Sequence, residues 1–135
     1  YIHPTSGAKV FIGNQSVAAS AKELEENKIW HIVNCQEPGS ANYHEGKAAY
    51  HYYRFPIAMW YSALDSRTPA GVLRFFQPVF DWIDTATAEG NNVLVHCLAG
   101  AHRAGSTGVA YMMHAGDLEF PQALMAAKRC RPIVD

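Results

Sequence analysis

The chain has 135 residues, 49% of them hydrophobic, with 11 basic and 12 acidic side chains and a formal net charge of −1. That length supports a single domain, residues 1–135, with a core of its own. The charge balance gives no electrostatic case for nucleic acid or an anionic membrane surface, and no apolar run approaches a membrane span.

The elements follow in chain order. Residues 8–13 read as a short strand ending in Gly-Asn turn chemistry. Residues 16–28 read as one helix with Ser16 as N-cap and a charged outer face. A buried-type strand covers 29–35 and closes on the turn signal EPGS. Residues 41–50 carry no clear pattern. Residues 50–57 are aromatic and β-rich, a strand brought to an end by Pro56. A loop over 58–68 leads to Thr68-Pro69, an N-cap followed by proline at the first helical position. The helix runs to Gly90, with Pro78 expected to kink or restart it. Its apolar stripe is Val72, Phe75, Phe76, Val79, Phe80 and Ile83. Residues 92–96, NVLVH, form a continuous apolar strand of the parallel-sheet type. Helices follow over 104–116, stopped by Gly116, and over 120–130. The order β-α-β-β-α-β-α-α predicts an α/β fold. Its central twisted sheet has about four to five strands, mainly parallel, flanked by helices. Lys128, Arg129 and Arg131 form a small basic cluster that the helix C-terminus accounts for.

Cys35, Cys97 and Cys130 are too few, and odd in number, for a disulfide scaffold, which fits a reduced, intracellular, cytoplasmic protein. No pair has zinc-ligand spacing, so no metal is expected. The chemistry concentrates in NVLVHCLAGAHRAG, residues 92–105. A loop here joins a strand's carboxyl end to a helix N-terminus, the edge where ligands bind in open α/β sheets. Small residues at 99, 100 and 101 let backbone N–H groups turn inward at the positive end of that helix, which makes an anion site. Arg103 adds a planar fork for two phosphate oxygens. Leu98, Ala99, Gly100, Ala101, His102 and Arg103 form the expected phosphate cradle. A field that attracts phosphate also favours a thiolate at Cys97, aimed at phosphorus.

The pattern His-Cys-x-x-Gly-x-x-Arg, residues 96–103, is the signature of the cysteine-based protein phosphatases. The chain closely resembles the dual-specificity phosphatase family. Residues 10–35, the strand at 50–57, the helix and strand over 75–97 and the late Arg-Pro at 131–132 carry the resemblance over nearly the whole chain. It implies hydrolysis of phosphotyrosine and of phosphoserine or phosphothreonine in proteins, through a phosphocysteine intermediate and without a cofactor. Cys97 is then the nucleophile, Arg103 the phosphate clamp, and His96 a support that hydrogen-bonds within the site and tunes Cys97. Asp65, 32 positions before Cys97, is the expected general acid; the alternative reading is a turn-forming surface Asp. Asp81 and Asp84 are expected to be solvated.

Ala104 stands where the family usually has Ser or Thr, and implies slower turnover unless Ser106 or Thr107 substitutes. The lysine-free loop argues against phosphoinositides. A phosphoglucan phosphatase and a phosphate-binding pseudophosphatase stay open as alternatives. His102 faces substrate or solvent. Trp60 and Tyr61 line the pocket mouth or pack in the loop. Cys35 is a plain buried residue or a disulfide partner for oxidised Cys97. Cys130 is expected on a helix face. The chain opens on Tyr1 rather than Met, which reads as a domain boundary. The family continues into a further helix past the position of Asp135. Oligomeric state is not legible.

Overall fold

Four strands set the frame: β1 (Val10–Gly13), β2 (Ile29–Asn34), β3 (His51–Arg54) and β4 (Asn92–His96). In this computed structural model, which describes residues 1–58, 68–98 and 102–130, they form a wholly parallel sheet in the order β1-β4-β2-β3. Strand β4 lies between β1 and β2, with Val93 opposite Val10 on one side and His31 on the other. Its unbroken apolar run is explained by helices on both faces. Val93 and Val95 join Val79, Phe80, Ile83 and Tyr111 in the main core, while Leu94 points the other way, into a second cluster with Ala18, Leu24 and Ile32.

The expected helix over 16–28 is two: α1 (Gln15–Ala19) and α2 (Ala21–Glu26). Ser16 is not the cap. Asn14 accepts from the Val17 N–H at 3.0 Å, and Ser20, in extended conformation, ends α1 and starts α2 by accepting from the Glu23 N–H at 3.2 Å. A second Ser with a backbone N–H three residues on competes well with helix continuation. Both strand expectations at 8–13 and 50–57 shorten, to Val10–Gly13 and His51–Arg54.

Helix α3 (Pro69–Ala88) starts as expected, with Thr68 Oγ1 accepting from the Gly71 N–H at 3.0 Å. It runs unbroken through Pro78 rather than restarting there. Pro78 lies on the exposed face, where a helix bears the loss of one backbone N–H at least cost. Val72, assigned to the core stripe, is 40% exposed and faces a cleft instead. Helix α4 (Arg103–Gly116) ends at the expected glycine, and it is Asp117, the next residue, that takes the left-handed conformation at φ 52°. α4 packs closely on β1: a Cβ on Gly108 would lie 2.8 Å from Ile12 Cγ1, so only glycine fits. Helix α5 (Phe120–Cys130) packs on α4, with Ala123 fully buried.

Candidate active site

Because all four strands are parallel, Gly13, His96, Asn34 and Arg54 end on one edge of the sheet. Cys97 is the next residue after β4 and is 3% exposed. Its N–H donates to the Gly13 carbonyl at 3.4 Å, and the His96 carbonyl accepts from the Cys35 N–H at 2.9 Å. The Leu98 carbonyl accepts from the Gln15 N–H at 3.1 Å, which fixes the start of the loop on α1 while the Leu98 side chain faces solvent. Arg103 is the first residue of α4, and His102 precedes it with no side-chain cap. The first-turn N–H groups and the positive helix end therefore face the loop. Ala99, Gly100, Ala101, Asp65, Trp60 and Tyr61 lie outside the described residues.

A residue that no sequence motif singled out sits beside Arg103. Arg103 Nη1 donates to Glu37 Oε1 at 2.7 Å, across 66 positions of sequence. The Glu37 backbone N–H and then the guanidinium hold that carboxyl below its ordinary range. The loop that carries Glu37 is fixed from both neighbouring strand ends. Asn34 Nδ2 donates to Ser40 Oγ, the Ala41 carbonyl and Asn42 Oδ1, and Asn34 Oδ1 accepts from the Gln36 N–H. Arg54 Nη1 donates to the Pro38 and Ser40 carbonyls at 3.1 and 2.6 Å. The sequence carries no local signal for it: Glu37 stands three residues past the end of β2, and only the strand order places β2 beside the strand that precedes Cys97.

Behind Cys97 lies Cys35, fully buried, with a free thiol. Cys97 is likewise a thiol, and the two form no disulfide here. Burial pushes the Cys35 thiol up to about 12; Thr107 and Arg103 oppose the shift and nearby Cys97 adds to it. Cys35 Sγ donates to Thr107 Oγ1 at 3.5 Å, and that hydroxyl donates to the Arg103 carbonyl at 2.9 Å. Thr107 is thus committed to the helix start. Ser106 is exposed and lines the cleft, so of the two hydroxyls near buried Ala104 it is the one that solvent and ligand reach.

His96 is fully buried, on the sheet face opposite Cys97 by strand alternation. Burial lowers its imidazole to about 4, with the Cys97 backbone partly opposing. Neither ring nitrogen makes a well-formed hydrogen bond with the described residues, so the expected support through such a bond is not formed with them. Asp81 is exposed and accepts from Gln77 Nε2 at 2.7 Å. Asp84, expected to be solvated, is instead engaged: Tyr111 OH donates to it at 2.8 Å, and His114 Nε2 lies 2.9 Å away.

Arg103, His102 and Ser106 form one wall of a cleft of about 400 Å3, and Phe75, Phe76 and Val72 form the other. Phe75 and Phe76 are fixed by Phe55, at centroid distances of 5.0 and 5.4 Å. An arginine beside an aromatic wall suits an aryl phosphate in shape and charge. Among the described residues no group of three His, Cys, Asp or Glu is placed to hold a metal ion, and no helix is long and apolar enough to cross a membrane.

Comparison with known proteins agrees with this geometry. Residues 10–135 match the family model "Dual specificity phosphatase, catalytic domain". The chain is 34% identical to protein phosphatase Slingshot of Drosophila melanogaster over 93% of its own length and 11% of that protein's. It is 31% identical to human dual specificity protein phosphatase 9 over 89% of its own length and 29% of the relative's. The chain therefore spans well under half of these relatives. Among solved structures, it superposes on DUSP15 with a TM-score of 0.70 at 27% identity, covering 93% of this chain and 73% of that one. With its parallel sheet, its cysteine at the end of β4 and its arginine opening α4, the chain belongs to the dual-specificity phosphatase catalytic-domain family.

Proposed function

We propose that this domain hydrolyses phosphotyrosine and phosphoserine or phosphothreonine in protein substrates through a phosphocysteine intermediate. The observation that carries the reading is the pairing of a buried cysteine at the end of β4 with an arginine at the start of α4, the latter held from outside by Glu37. Cys97 attacks phosphorus as the thiolate; the P–S bond forms as the P–O bond to the substrate breaks. Arg103 and the N–H groups of the 98–103 loop take up the charge on the equatorial oxygens. Asp65 gives its proton to the leaving oxygen, then withdraws one from the water that cleaves the P–S bond. His96 supports the strand end from the opposite face, as a neutral imidazole. Ser106, open to the cleft, supplies the hydroxyl that Ala104 lacks. None of these steps uses a cofactor.

The test is metal-free phosphate release from a peptide bearing both phosphotyrosine and phosphothreonine. Release from both residues, abolished in Cys97→Ser, is the expected result. Binding of the same peptide with no release from either residue refutes the hydrolytic reading. Asp65→Asn is expected to slow the phosphopeptide far more than an activated aryl phosphate, whose leaving group needs no proton. Equal losses on both remove Asp65 from the acid role.

A further inference from the structure

The flank of α3 that faces β2 and β3 holds a second cavity, of about 320 Å3, which phosphoryl transfer does not use. Trp82, Tyr53 and His31 wall it, all half-buried, and Asp81, Thr85 and Glu89 surround it, all exposed. The rings pack at tilted angles, with Trp82 5.7 Å from Tyr53 and 5.5 Å from His31, and His31 stacks on His51 at 4.7 Å. None of the lining side chains is a lysine or arginine. Burial, with His51 beside it, lowers the His31 imidazole, and Glu89 partly opposes the shift. Its Nδ1 is buried and has no hydrogen-bond partner among the described residues.

The cavity thus offers aromatic faces, two carboxylates and a hydroxyl. Aromatic faces with flanking carboxylates attract a cation. Several acceptors of different geometry call for a cation with several donors, which an ammonium with methyl groups lacks and a guanidinium has, on a flat face that stacks. Most of the cavity's lining is on α3, its acidic residues are exposed, and Tyr53 brings it to β3, the edge strand, so a side chain from another protein reaches it from solvent. We propose that this cavity docks an arginine side chain of a protein partner, with the guanidinium stacked on Trp82 and its N–H groups turned to Asp81 and Glu89. This site stands independently of the phosphatase reading.

The experiment is a titration of the whole domain with N-acetyl-L-arginine amide at fixed ionic strength, following the Trp82 indole N–H resonance, assigned through Trp82→Phe. N-acetyl-L-citrulline amide, the uncharged isostere, and choline chloride are titrated in parallel. A saturable shift with the arginine derivative is expected, at least about threefold tighter than with either comparator. The surface double variant Asp81→Asn/Glu89→Gln is expected to weaken arginine binding by about twofold to fivefold. Turnover of p-nitrophenyl phosphate stays unchanged in that variant, which separates this site from the cleft at Arg103. No saturable shift, equal binding of citrulline, equal or tighter binding of choline, or an unchanged affinity in the double variant would overturn the proposal.

Discussion

Replacing His96 tests whether a buried imidazole makes this domain acid-labile. Its side chain is fully buried and its pKa is lowered from 6.5 to about 4, with burial the main cause. The unfolded chain therefore binds a proton at a pH where the folded chain does not, and stability rises with pH. The contribution is fully present above about pH 6.5 and is lost as pH falls toward about 4. A gap of about 2.5 units corresponds to about 3 kcal/mol in all, of which roughly 2 kcal/mol falls between pH 7 and pH 4.5. That is a large share of the stability of an ordinary domain. The assay is urea unfolding of wild type and His96→Gln at steps from pH 7 to pH 4.5. Other titrating groups, His31 among them, act equally on both proteins and cancel in the difference. The wild type should lose about 2 kcal/mol more than the variant across that range. Parallel stability curves would refute the reasoning.

Glu37→Ala should lower kcat/KM for an aryl phosphate several-fold, because the guanidinium of Arg103 loses its anchor, and should leave the thermal midpoint close to wild type, because Glu37 is 72% exposed. Unchanged steady-state kinetics would show that the anchor is dispensable. Cys35, with its thiol at about 12, should resist iodoacetamide in the native protein at mildly alkaline pH and react once urea unfolds the chain. Peptide mapping that finds native Cys35 alkylated at the rate of a free thiol would contradict its burial. Gly108→Val should cost about 2 kcal/mol through overlap with Ile12, read as a fall in the thermal midpoint of about 5–10 °C. A midpoint within 1–2 °C of wild type would mean that α4 moves off β1 at little cost.

Much of this architecture was legible because its determinants are local. Thr68-Pro69 fixes the start of α3, and NVLVH can only be a strand buried on both faces. Cys97 and Arg103 announce a site because a strand end and a helix start lie within one short stretch. The departures arise where the deciding partner is distant or where two local options are close in energy. Ser20 splits a segment whose periodicity fits one helix, since its hydroxyl satisfies a backbone donor that the longer helix would satisfy equally well. Asp84 reads as a surface residue of α3 until α4 brings Tyr111 and His114 to it. Glu37 reaches Arg103 only through the strand order, which no local pattern carries.

The strand order also dictates how the chain can fold. β1 has a single sheet partner, β4, which is synthesised almost eighty residues later, and β2 can pair only with β3 until then. A nascent chain that has reached the end of α3 holds a two-stranded fragment and an orphan first strand. Closure is therefore a late, long-range event, and slow for that reason. The strand that completes the sheet is the one that delivers Cys97 to its edge, so that cysteine reaches its place only with the last strand.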